Sequence, residues 1–375
     1  MKNVLVVFGT RPELIKLAPL VAELKKSKCL KPLVCSTGQH KELLTQTISC
    51  FDLELDFSLG IMEPNQDLFT LNQNLMKNLK QVIEKSQPDM VVVQGDTTTA
   101  FTTALCAFYL KVPVAHVEAG LRTFDKYSPF PEEMNRVLIS KIAELHFAPT
   151  LLSQKHLCDE GIDSRKIHVV GNTGVDALLQ TANQREQPSQ TVLDLPKKRS
   201  FLMTVHRREN FGEPLKRIFS ATRQFLEENP NYHAIYPLHP NPHVKEVAQK
   251  YFADWPNISL LEPLSFRDLV WILKRVVFVM TDSGGLQEES PAFGKPVLVL
   301  RESTERTEAI DAGCAKLVGT DPDLIQKALR DLTQENSVTY FKMAQSKNPF
   351  GDGTASQKIH SILEKYFKEG LRAAA

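Results

Sequence analysis

Two spacings of apolar and polar positions alternate along the chain. Short apolar runs of four to six residues recur at 4–8, 32–36, 90–94, 112–117, 145–148 and 167–170. They are too short for helices and are closed by Gly, Pro or polar residues, which predicts strands buried on both faces of a parallel sheet. Helical spacing fills the gaps. In residues 11–26 the apolar positions are 14, 15, 17, 18, 20, 21 and 24, and residues 68–86 and 98–110 also read as helices. From 184 to 199 the chain turns polar (QREQPSQTVLDLPKKR), as a connector does. Strand-like runs then restart at 200–205, 234–238, 258–261, 276–280, 296–300 and 315–318, and residues 356–371 carry an amphipathic helical pattern. The expected fold is α/β, with two Rossmann-like domains, residues 1–175 and 176–355, flanking a cleft. A C-terminal helix within 356–375 is expected to pack back on the first domain.

Open α/β sheets bind ligands outside the carboxyl ends of their strands, so strand-end residues are the first place to look for chemistry. Asp96 follows the run MVVVQG, and Glu118 follows PVAHV. The polar loop after Glu118 leads through Pro131 to Glu132 and Glu133. Any one of these acids could cap a helix or pair with a surface Arg, but three converging ones form a candidate acid/base group. In FGTRPELIK, Thr10 and Glu13 have the spacing of a capping box and Pro12 sits in the first helical turn. This places Arg11 beside free backbone N–H groups, a phosphate-type site. In the second half, TVHRREN puts His206 at a strand end. TDSGGLQEE runs a strand into Ser283, Gly284 and Gly285 at a helix start, where a diphosphate could approach backbone donors, with Glu289 one turn on. Arg306 in RESTERTEA follows the next strand.

Composition narrows the classes. Basic and acidic residues nearly cancel, leaving a formal net charge of +1, so no global field suits a nucleic acid; an anion must be caught locally. The longest apolar runs, such as 276–280, fall far short of the ~20 residues of a membrane helix. The six cysteines show no CxxC spacing and are expected as buried thiols, and the opening MKNVLVVFG is too short for a signal-peptide core. A cytoplasmic location is expected.

The motifs GTRPELIK, QGDTTTA, HVEAGLRT with YSPFPEEMNR, GNTGVDAL, VHRREN, YPLHPNP, TDSGGLQEE and RESTERTEA occur in order over residues 4–355. Together they closely resemble the non-hydrolysing UDP-N-acetylglucosamine 2-epimerases. The resemblance implies a glycosyltransferase-B type fold with UDP in its cleft. It implies interconversion of UDP-GlcNAc and UDP-ManNAc for surface polysaccharide synthesis, without a redox cofactor or metal, in a homodimer. It also implies substrate contacts from Arg11, Lys16, Asp96, Glu118, His206, Ser283, Gly284, Gly285, Glu289 and Arg306. Asp96, Glu118 and Glu132 would form the acid/base group, and His206 would stabilise departing UDP. Gln39 and His40 match a region that binds an activating UDP-GlcNAc in some bacterial members. Gln94, Asn65, Leu264 and Leu269 depart from the residues common at their positions. The alternatives are an epimerase of a UDP-diacetamido-uronate, a hydrolysing relative that releases free sugar, and a non-catalytic sugar-nucleotide sensor.

Overall fold

The computed structural model describes residues 1–38, 47–61, 66–239 and 241–373. The chain forms two compact units, Met1–Gln180 together with Phe350–Ala375, and Thr181–Pro349. The first holds a parallel sheet of β1 (Lys2–Phe8), β2 (Leu30–Ser36), β3 (Phe57–Ser58), β4 (Met90–Gln94), β5 (Val114–Val117), β6 (Leu145–Ala148) and β7 (Ile167–Val169). Its strand order is β3-β2-β1-β4-β5-β6-β7. The second holds β8 (Arg199–Thr204), β9 (Tyr232–Pro237), β10 (Ile258–Leu261), β11 (Val279–Thr281), β12 (Val297–Val299) and β13 (Ala315–Leu317), in the order β10-β9-β8-β11-β12-β13. Every pairing in both sheets is parallel.

The unbroken apolar run of β1 has a direct cause: both of its faces are covered. Val4, Val6 and Phe8 pack with Leu14, Leu17 and Val21 of the helix Arg11–Leu24 and with Ile359 and Leu363 of the C-terminal helix. Leu5 and Val7 pack on the other face with Leu71, Leu75 and Leu79 of the helix Leu68–Ser86 and with Ala100 and Ala104 of the helix Thr98–Tyr109. Each of these β1 side chains is fully buried. The second unit has its own aromatic-rich core, in which Phe201 stacks on Phe278 with ring centroids 4.9 Å apart.

The unit boundary lies at Gln180 and the return at Phe350, where the sequence suggested 175 and 355. Asp176, in the helix Thr173–Ala182, accepts hydrogen bonds from the backbone N–H groups of Ala355 and Ser356 at 3.2 and 2.8 Å. These bonds tie the end of the first unit to the start of the helix Ala355–Ala373. Inside the expected connector one short helix forms, Gln190–Leu193. No helix among the described residues is long and apolar enough to cross a membrane.

The strand orders decide where chemistry can sit. In the first sheet the order reverses between β1 and β4, and in the second between β8 and β11. Helices on opposite faces leave a crevice beyond the carboxyl ends at such a reversal. The residues that follow these four strands are Gly9 to Arg11, Gly95 and Asp96, Val205 and His206, and Asp282 and Ser283.

Candidate active site

The first unit gathers the predicted acids around two cations. Arg136 Nη2 lies 2.5 Å from Asp96 Oδ2, and Lys16 Nζ lies 2.5 Å from Glu118 Oε2. Gln94 Nε2 also donates to Glu118 Oε2. Burial pushes the Asp96 carboxyl above the usual carboxylate range; Arg136 and Lys16 pull it back, while the negative charges of Glu118 and Glu132 push it further up. That mutual influence marks the three acids as one electrostatic group. Glu132 opens the helix Glu132–Ile142, and its Oε2 is buried without a hydrogen-bond partner among the described residues. Glu118 follows β5 with φ at +65°, a left-handed conformation rare for a residue with a Cβ. Such an outlier persists only where its surroundings enforce it, and it points to a functional position.

Buried polar groups hold this arrangement. His116 Nε2 donates to the carbonyl of Gly95 at 2.7 Å, fixing the turn that carries Asp96. Burial pushes the His116 pKa down to about 3, so the ring is a neutral strut. Asn135 Nδ2 donates to the Asp96 carbonyl at 2.9 Å. Glu133 accepts the backbone N–H groups of Thr123 and Phe124, closing the loop onto the helix start. Arg122, buried, donates from Nε and Nη2 to Glu160 at 2.6 and 2.9 Å. Glu132 and Glu133, adjacent in sequence, therefore have different tasks: one faces the acid group and the other anchors the loop.

At the first helix the expected capping box of Thr10 and Glu13 forms. Arg11 does begin the helix Arg11–Leu24, but the backbone N–H groups of Gly9 and Thr10 are not free. Both donate to Glu13 Oε2, at 3.1 and 2.7 Å, and Thr97 Oγ1 donates to Glu13 Oε1 at 2.7 Å. Glu13 is 1% exposed, and its burial raises its pKa. It joins the turn after β1 to the turn after β4 and takes up the two backbone donors that precede Arg11.

The second unit builds its group around Asp282, a fully buried acid just past β11. Its Oδ2 accepts from the backbone N–H groups of His206 and Arg207 and from Asn210 Nδ2, at 2.9, 2.8 and 2.9 Å. His206 Nδ1 stands 3.5 Å from Asp282 Oδ1, and the ring stacks on His239 with centroids 5.2 Å apart. As expected, the strand runs through Ser283 into a helix, Gly284–Glu289; Ser283 holds the N-cap position without a side-chain cap bond. Glu289, half-buried, closes that helix. The two glycines differ in role. A Cβ on Gly285 would meet nothing closer than 3.6 Å, whereas one on Gly284 would lie 2.8 Å from the guanidinium carbon of Arg306. At Gly284 the missing side chain leaves room for Arg306. Arg306 is itself held by Glu288, 2.9 Å from its Nε, and by Glu305, 2.6 Å from its Nη1. Burial alone would raise the Glu305 carboxyl, but Arg306 and Arg301 outweigh it and hold it down at about 2.

Asp96, Glu118, Glu132 and Lys16 come together in one unit, and His206, Ser283 to Gly285, Glu289 and Arg306 belong to the other. Gln39, His40 and Asn65 lie outside the described residues. The sequence reading missed Asp282, although it is a strand-end acid like Asp96, and missed Arg136, three residues after Glu133 on one helix. It also missed His116 as an anchor, since a lone buried His carries no sequence signal, and Thr97 as the second partner of Glu13.

The family model described as UDP-N-acetylglucosamine 2-epimerase matches residues 22–364. A UDP-N-acetylglucosamine 2-epimerase of Bacillus subtilis is 45% identical over 371 residues, covering 99% of this chain and 96% of that one. The crystal structure of UDP-GlcNAc 2-epimerase from Neisseria meningitidis bound to UDP-GlcNAc superposes with a TM-score of 0.90 at 43% identity, covering 97% of this chain and 100% of that one. The enzyme of that description from Methanocaldococcus jannaschii, in complex with UDP-GlcNAc and UDP, gives a TM-score of 0.80 at 33% identity, covering 97% of this chain and 100% of that one.

Proposed function

Because the chain belongs to the UDP-N-acetylglucosamine 2-epimerase family, we propose that it interconverts UDP-GlcNAc and UDP-ManNAc by eliminating and re-adding UDP, without hydrolysis. The carrying observation is the group of three electrostatically coupled carboxylates, Asp96, Glu118 and Glu132. The C2–H of an N-acetylhexosamine has no adjacent carbonyl to spread a carbanion. Its removal becomes feasible as the C1–O bond to UDP breaks and positive charge develops at C1. One carboxylate takes the C2 proton and a 2-acetamidoglucal forms. A second acid on the opposite face returns a proton to C2 while the UDP oxygen re-bonds to C1. Inversion thus requires groups on two faces, and a cluster of acids supplies them. Arg136 and Lys16 stand beside Asp96 and Glu118 and place two positive charges within the acid group.

Departing UDP needs positive charge and hydrogen-bond donors. His206 and Arg11 fill that role, with the start of the helix at Ser283 to Gly285 receiving the diphosphate and Glu289 and Arg306 completing the contacts. The route itself calls for no redox cofactor or metal. A cytoplasmic homodimer fits the rest. The helices Thr98–Tyr109 and Glu132–Ile142 leave Phe108 and Tyr109, and Met134 and Leu138, exposed. Exposed apolar side chains such as these suit contact with a second copy of the chain.

The test is incubation with UDP-GlcNAc in D₂O followed by NMR. The expected result is UDP-ManNAc carrying deuterium at C2, and in time deuterium at C2 of recovered UDP-GlcNAc. Free ManNAc would identify a hydrolase. Turnover that keeps the original C2 hydrogen would sink the elimination route.

A further inference from the structure

The two oxygens of the buried Asp282 carboxylate are in different situations. Oδ2 is saturated by three donors: the backbone N–H groups of His206 and Arg207, and Asn210 Nδ2. Oδ1 is also buried and makes no hydrogen bond among the described residues, with His206 Nδ1 standing 3.5 Å away. A buried acceptor without a donor is costly, and the imidazole N–H is the group placed to relieve it. The ring then carries its proton on Nδ1, and in the neutral form Nε2 is bare.

The charged and titratable groups facing this ring are Asp282, the stacked His239 and Arg207. His239 Nδ1 accepts the Asn241 backbone N–H at 3.2 Å. Burial lowers the His206 pKa, Asp282 opposes this, and His239 and Arg207 add to the lowering. Burial thus favours the neutral ring in the unliganded protein. A diphosphate arriving beside it adds negative charge, which favours the imidazolium.

We propose that Asp282 and His206 form a proton-coupled clamp for a diphosphate: binding draws one proton from solvent onto His206 Nε2 while Nδ1–H stays on Asp282. No heavy-atom bond changes, and the ring passes from neutral to +1 as the anion is seated. Asp282 is a positioning residue in this scheme, acting through His206. The inference rests on the reading of the substrate as a UDP-sugar.

The experiment is calorimetric titration of the full-length protein with UDP near neutral pH, in buffers of different ionisation enthalpy, which counts the protons taken up. The wild-type protein is expected to take up a sizeable fraction of one proton more than His206→Gln. Asp282→Asn, which presents an amide to the ring, should lose at least half of that difference. Binding of UDP with equal proton counts in wild type and His206→Gln overturns the clamp, as does Asp282→Asn matching wild type. No binding of UDP at all overturns the proposed function together with it, so the two failures are distinguishable. A measurement on the wild-type protein guards against a misfolded variant. Long-range ¹H–¹⁵N spectra, assigned by difference with His206→Gln, must show the neutral His206 ring protonated on Nδ1. The Nε2–H tautomer refutes the inference.

Discussion

Replacing Gly284 by Ala tests whether the second unit's anion-binding end depends on the seat of Arg306. The added Cβ would lie 2.8 Å from the Arg306 guanidinium carbon and 3.0 Å from Nη2. Restoring an ordinary contact of 3.4 Å moves the guanidinium by about 0.6 Å. That is enough to take the 2.9 Å bond from Arg306 Nε to Glu288 to the edge of hydrogen-bonding range. Arg306 cannot simply swing aside, because Glu305 holds its other nitrogen at 2.6 Å. Losing one charge-assisted bond to a buried acid costs about 1.5–3 kcal/mol. The better helix propensity of Ala returns about 0.5–1 kcal/mol. The net loss, about 0.5–2.5 kcal/mol, lowers the unfolding midpoint by roughly 2–4 °C per kcal/mol for a domain of this size. Thermal unfolding of the single variant and of Gly284→Ala in an Arg306→Ala background measures it. In the double variant the added Ala should be neutral or stabilising. An equal loss in both backgrounds, or no loss in the first, refutes the reasoning.

Two further outcomes are expected. Burial raises the Asp96 carboxyl in the folded protein, so this group's contribution to stability is complete below the unfolded value of about 3.9 and is lost as pH rises through the folded one. Asp96→Asn should therefore abolish epimerisation yet unfold at a higher temperature than wild type at neutral pH, with the gap closing in acid; a gap independent of pH contradicts this. Glu132→Gln, if Glu132 returns the proton, should still eliminate and release UDP with 2-acetamidoglucal in place of UDP-ManNAc, as product analysis by NMR would reveal. A variant that is merely slow, with no glycal released, would remove Glu132 from that role.

Local and periodic information was legible without coordinates. Long apolar runs can be buried on both faces only in a parallel sheet between helices, so the strands at 4–8 and 90–94 and the helices between them followed from spacing alone. That Asp96, Glu118 and His206 follow the ends of strands was legible for the same reason, since the apolar runs fix where those strands stop. The two-residue strand Phe57–Ser58 was not legible, since so short an edge strand has no period of its own.

What tertiary structure alone decided is which partner each charge takes. Sequence spacing put Glu13 in a capping box, but only the pairing of β1 with β4 brings Thr97 to its second oxygen and makes it a joint between two turns. Likewise, Gly284 and Gly285 look alike on paper, and the fold distinguishes them by laying Arg306 over the first alone. Asp282 resembles any acid after a strand until the neighbouring β8 delivers His206, Arg207 and Asn210 to it. The periods of the chain report which faces are buried, because burial repeats along an element. The contacts that set charge and geometry in the site join residues some forty to one hundred positions apart, and no period along the chain encodes them.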